Sequence, residues 1–93
     1  MYGIADELIN KLKEIKEKYK IKILLFGSRA RGDYKHNSDI DIAVIDTVSK
    51  EIKYQIMDEL DKIDTPYKFD LVFVQNVENK EFLKSIYSEG VKI

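Results

Sequence analysis

Two aspartates, Asp39 and Asp41, interrupt the apolar stretch "SDIDIAV" (Ser38 to Val44), and a third, Asp70, sits in "FDLVFV" in the same manner. Alternate residues of a strand lie about 6.5–7 Å apart and project to the same side. Asp39 and Asp41 can therefore aim at one point. Asp70 joins them if its strand is the next one, at about 4.8 Å. Three carboxylates facing one spot repel each other, which is tolerable where divalent cations lie between them or water reaches all three. For any one of the three, a solvated strand-end aspartate is the simpler reading; the pairing and the third acid together argue for a metal site. Oxygen ligands without nearby His or Cys favour Mg²⁺ or Mn²⁺ over zinc. Two such ions about 3.5–4 Å apart clamp the attacking and leaving oxygens of an in-line phosphoryl displacement. On this reading Asp39 and Asp41 bridge both ions. Asp70 completes the ion that holds the acceptor hydroxyl and can take its proton.

"GSRARG" (Gly27 to Gly32) supplies groups suited to the other reactant. Its glycines allow close backbone approach. Ser28 offers a hydroxyl and a backbone N–H at a possible helix start, a place that receives anions. Arg29 and Arg31 can neutralise phosphate oxygens. No Gly-Lys-Ser/Thr follows, so this is not a Walker loop, and the dinucleotide glycine pattern is also absent. A plain strand-to-helix turn would explain the segment if it stood alone. Its weight comes from lying one strand away from Asp-x-Asp.

The elements that must position these groups follow from periodicity. Ile4, Leu8, Leu12, Ile15 and Tyr19 step as an amphipathic helix. Ile21 to Gly27 is a dense apolar run, a buried strand ending in a turn, and Ser28 to Gly32 is long enough for one helical turn. Asp33 to Ser38 reads as a polar loop. Asp39 to Ile45 reads as a second strand, with Ile40, Ile42 and Val44 on one face and Asp39, Asp41 and Ala43 on the other. Val48 to Ile63 returns to helical spacing, Pro66 breaks the chain, and Tyr67 to Gln75 forms a third strand with Asp70, Val72 and Val74 on one face. Asn79 is placed to cap a last helix through Tyr87, with Phe82, Leu83 and Ile86 inward; Gly90 stops it before a short terminal "VKI" strand. The expected fold is α+β, a two-layer α/β arrangement: a small mixed sheet with helices on one face and the carboxylates on the other.

Ninety-three residues, 44% apolar and 35% charged, fit one globular domain, residues 1–93. The net charge of −1 with interspersed signs argues against a nucleic-acid surface. The absence of cysteine excludes disulfides, a thiolate nucleophile and zinc–thiolate sites. The acidic, amphipathic opening is not a signal peptide, and no apolar run approaches membrane-spanning length. No membrane association and a cytoplasmic location are the expectation.

Together, "GSRARG", ten residues between Ser28 and Asp39, "SDIDIAV" and the later "FDLV" resemble the DNA polymerase β-like nucleotidyltransferase superfamily, and more closely its minimal nucleotidyltransferase (MNT) members. The resemblance spans nearly the whole chain and implies the nucleotidyltransferase fold. It implies that Gly27 and Ser28 hold the nucleotide triphosphate, with Arg31 matching the arginine of the same turn. It implies that Asp39, Asp41 and Asp70 are the catalytic metal ligands. The implied reaction is Mg²⁺-dependent transfer of a nucleoside monophosphate from ATP, with pyrophosphate released. Minimal members are commonly paired with a helical HEPT-type toxin or a substrate-binding subunit. In the toxin case the MNT protein is the antitoxin and adenylylates a tyrosine of its partner. The length argument agrees, because a chain this short has little surface left for an acceptor pocket.

Two other functions compete. A non-catalytic binding module would neutralise a helical partner by association alone, yet it would have no use for mutually repelling acids. A catalytic subunit acting on a small molecule would need a substrate domain that these residues do not supply. His36, the only histidine, reads as a solvated loop residue, and "RGD" at Arg31 to Asp33 as chance. Asp33 and Tyr34 read equally as loop residues or pocket lining. Tyr2, Tyr19, Tyr54, Tyr67 and Tyr87 read as amphipathic packing positions.

Overall fold

A computed structural model describes all 93 residues. The first helix, α1 (Asp6–Tyr19), places Leu8, Ile9, Leu12 and Ile15 in the core and closes at Lys20, whose backbone turns left-handed. Strand β1 (Ile23–Phe26) runs directly into the five-residue helix α2 (Gly27–Arg31). Strand β2 (Ile40–Val44), helix α3 (Lys50–Asp61), strand β3 (Phe69–Phe73), helix α4 (Lys80–Glu89) and the two-residue strand β4 (Val91–Lys92) follow.

Capping chemistry sets several of these bounds. The Ser49 hydroxyl accepts from the Ile52 N–H, so α3 starts at Lys50 and Val48 stays outside it. Asn79 caps α4 through the Phe82 N–H, as its position in the sequence indicates. The third strand ends earlier than its apolar run, because Val74–Asn76 coils into a 3₁₀ turn. There the Gln75 side-chain amide accepts from the Val48 N–H at 2.6 Å and donates to the Val48 carbonyl at 3.2 Å. That two-way bond ties the exit of β3 to the entry of α3.

The sheet order is β3-β2-β1-β4. β1 is antiparallel to β2 and β4, whereas β2 and β3 are parallel, with α3 as the crossover. One face is closed by α1 and α3, whose side chains join Ile23, Leu25, Ile40, Ile42, Val44 and Phe73 in a core of 14 buried residues. The opposite face is not bare. α4 lies across part of it and buries Ile86 against Phe26 and Ala43, with Leu24 and Val72 alongside. The main helical layer is thus on one face, and the carboxylate face carries one helix beside its acids. No helix is long and apolar enough to cross a membrane.

Candidate active site

Asp41 and Asp70 are register partners across the parallel β2–β3 ladder. On its other side Asp41 faces Phe26, the residue immediately before Gly27. The side chain of Asp39 enters from the residue preceding β2. One end of three adjacent strands thus gathers Gly27, Asp39, Asp41 and Asp70. Asp39 and Asp70 are exposed, and Asp41 is half-buried.

Gly27 is required where it stands. Its φ is +74°, and a Cβ there would overlap the Asp41 carboxylate, reaching 3.0 Å from its Cγ. The α2 turn is therefore packed directly onto the central acid. The electrostatics follow from this crowding. Burial first, then the nearby charges of Asp70 and Asp39, raise the Asp41 pKa from 3.8 to about 6, and Arg31 opposes them. Near neutral pH the site holds clustered negative charge that a cation would relieve.

As they stand, no three acidic or imidazole side chains are gathered closely enough to hold a metal ion together. The donor set is nevertheless all carboxylate oxygen, solvent-accessible and mutually repelling. It suits a hard cation that keeps several waters and completes its shell with phosphate oxygens. By this chemistry the three aspartates fit magnesium. The three principal cavities are lined by other residues; the most enclosed, about 670 Å³, lies between α1 and the end of α3. The carboxylates sit on an open face.

The two arginines of the turn have different fates. Arg31 is exposed and pairs with Asp33 at 3.4 Å and with Glu89 of α4 at 3.3 Å. It lies close enough to Asp41 to lower that group's pKa. Arg29, read from the sequence as a phosphate-neutralising group, is instead 1% exposed. Its guanidinium donates to the carbonyls of Ser38, Tyr2 and Gly3 and lies between the rings of Tyr34 and Tyr67. Four of its five N–H groups are taken by backbone carbonyls, and its burial keeps it from the exposed carboxylate face. The sequence contained a signal for this split: residues two apart on a helix differ by about 200°, so only one of the pair can face the site. Tyr34 packs on Arg29, and Asp33 bonds Arg31, so neither is an open pocket wall. Tyr54 and Tyr87, expected to pack, are 59% and 53% exposed. His36 is exposed in its loop. Phe82 was expected in the core but sits at its rim, edge-on to Phe26 at 5.9 Å and 37% exposed.

Comparison with known proteins gives a consistent picture. A Methanocaldococcus jannaschii protein named "Putative protein adenylyltransferase" is 38% identical over 93 residues, covering 94% of this chain and 92% of its own length. A crystal structure of a toxin–antitoxin with AMP-PNP superposes with a TM-score of 0.68 at 27% identity, covering 89% of this chain and 69% of that one. A mutant of the toxin–antitoxin MntA-HpeT gives 0.69 at 25% identity, covering 97% and 72%. The family model "Polymerase beta, Nucleotidyltransferase" matches residues 10–93, and the chain is a member of that nucleotidyltransferase family.

Proposed function

We propose that this chain is a magnesium-dependent adenylyltransferase that moves AMP from ATP to a tyrosine hydroxyl of a helical partner protein, as the antitoxin of an MNT/HEPT-type pair. The reading is carried by the pairing of Asp41 with Asp70 beside the Gly27 turn. The name of the M. jannaschii relative supports the acceptor class, and the toxin–antitoxin structures support the setting. The open carboxylate face supports an acceptor brought by a second protein, since the principal cavities lie elsewhere.

In this proposal Gly27 and Ser28 receive the triphosphate through backbone and hydroxyl. Asp39, Asp41 and Asp70 hold two magnesium ions, or manganese in their place, which supply neutralisation of the triphosphate charge and a lowered pKa for the acceptor hydroxyl. Asp41 is ionised above about pH 6 and is then competent as a ligand. Arg31 turns from its exposed partners, Asp33 and Glu89, toward a phosphate oxygen; exposed pairs of this kind contribute little and exchange readily. The acceptor oxygen forms a bond to the α-phosphorus, the bond from that phosphorus to the bridging oxygen breaks, and pyrophosphate leaves. Asp70 takes the hydroxyl proton and passes it to water. The 93 residues act as a single minimal nucleotidyltransferase domain in the cytoplasm.

The test is intact mass of the chain and of the protein encoded beside it after incubation with ATP and magnesium. One added AMP on the partner, located at a tyrosine, is expected. Persistence of that addition with the Asp39→Asn, Asp41→Asn double variant rejects the site. Neutralisation of the partner in the absence of nucleotide identifies a binding module instead.

A further inference from the structure

The proposed site is assembled from three separate segments: the α2 turn with Gly27 and Ser28, the entry of β2 with Asp39 and Asp41, and the entry of β3 with Asp70. One side chain touches all three. Arg29 belongs to the turn itself. Its Nη2 and Nε both donate to the Ser38 carbonyl, at 2.9 and 3.2 Å, gripping the residue directly before Asp39. Its guanidinium plane rests on the Tyr67 ring at 4.7 Å, just upstream of β3. There the Ile40 N–H donates to the Lys68 carbonyl at 2.9 Å and starts the β2–β3 ladder.

Further contacts of Arg29 fasten its position. The Tyr34 ring also lies against the guanidinium, at 5.0 Å, and Nη1 donates to the carbonyls of Tyr2 and Gly3 at 3.2 and 3.3 Å. Gly3 has no room for a side chain against the Tyr34 ring. Arg29 is the only charged residue among the buried ones, and no carboxylate pairs with it. A charge kept in the interior without a counter-ion is a poor way to gain stability alone. A planar fork that grips one carbonyl while stacking on two rings fixes distance and direction together, which a lysine cannot do.

We infer that Arg29 is a positioning residue, holding the Asp39–Asp41 segment and the Asp70 strand at fixed spacing from the Gly27–Ser28 turn so that the three carboxylates receive metal as a unit. The inference rests on the proposed metal site. Paramagnetic Mn²⁺ with a non-hydrolysable α,β-methylene ATP analogue is the probe, read by line broadening of the Asp39, Asp41 and Asp70 backbone amide signals in the whole chain. In the unaltered protein the three signals broaden at one common Mn²⁺ concentration. Arg29→Lys raises that midpoint at least tenfold or separates Asp70 from Asp39. Tyr67→Leu, which removes one stacking face and leaves the arginine, shifts it about threefold. Ile56→Val, a buried change on α3 with its own loss of melting temperature, leaves the midpoint within twofold. A folded Arg29→Lys or Tyr67→Leu protein with an unchanged midpoint overturns the role of Arg29 alone; so does an Ile56→Val shift as large as theirs. Absence of broadening at these signals in the unaltered protein removes the metal site and this role with it.

Discussion

The two faces of the sheet are built from the same strands and have opposite priorities. Along β2, Ile40, Ile42 and Val44 enter the 14-residue core under α1 and α3. The alternate positions, Asp41 and Ala43, face the other way, where only three buried residues cluster under α4. One face gathers apolar area and holds the molecule together. The other brings like charges side by side and gives up stability for a place where a cation is welcome. The pleat keeps the two demands one residue apart without mixing them.

This division predicts where substitutions act. The largest effect belongs to the carboxylate face: Asp39→Asn with Asp41→Asn lowers AMP transfer by at least about a thousandfold, on the order of 4 kcal/mol of transition-state stabilisation, with no loss of melting temperature. Equal losses of activity and stability would erase the distinction between the faces. On the opposite face, Leu12→Ala lowers stability by about 3 kcal/mol, measured by denaturant unfolding, because Leu12 is fully buried. Gly27→Ala costs about 1–2 kcal/mol at its positive φ and pushes on Asp41, so nucleotide transfer falls further than stability does.

A smaller and opposite effect tests the electrostatics. The Asp41 pKa is raised in the folded state, so its protonated form favours folding. That contribution is complete below about pH 3.8 and is lost as pH rises through about 6. Asp41→Asn therefore raises the melting temperature of the metal-free protein at pH 7.5. After reduction for the solvent reaching the carboxyl, the gain is about 1 kcal/mol, or about 4–8 °C. The difference closes at pH 4, and the variant loses the melting-temperature rise given by Mg²⁺-ATP. A large fall in metal-free melting would make Asp41 a structural residue. The smallest effect is at the rim: Glu89→Gln frees Arg31 from one exposed partner and changes stability by less than about 0.5 kcal/mol.

Much of this arrangement can be read from residue types because the constraints are local. Alternation placed Asp39 and Asp41 together and opposite Ile40 and Ile42, and Asn79 announced α4. The nucleotidyltransferase family was legible in the spacing of the Gly-Ser turn from Asp-x-Asp. Other features depend on distant partners. The 3₁₀ turn after β3 exists because Gln75 reaches Val48, 27 residues earlier. α4 crosses to the acid-bearing face because Ile86 finds Phe26 and Ala43 there. Arg29 looks like its neighbour Arg31 until the rings of Tyr34 and Tyr67 close around it. Periodicity describes one element at a time and carries no information about which segment will arrive to cover it.

The parallel pairing of Asp41 with Asp70 also has a consequence during synthesis. Antiparallel β1 and β2 can zip locally, but the β2–β3 ladder must wait for the whole α3 crossover to leave the ribosome and fold back. A nascent chain that has made only its first hairpin carries Asp-x-Asp and the serine turn without their third member. The three carboxylates are therefore brought together late and all at once, and no shorter folding product assembles the proposed site.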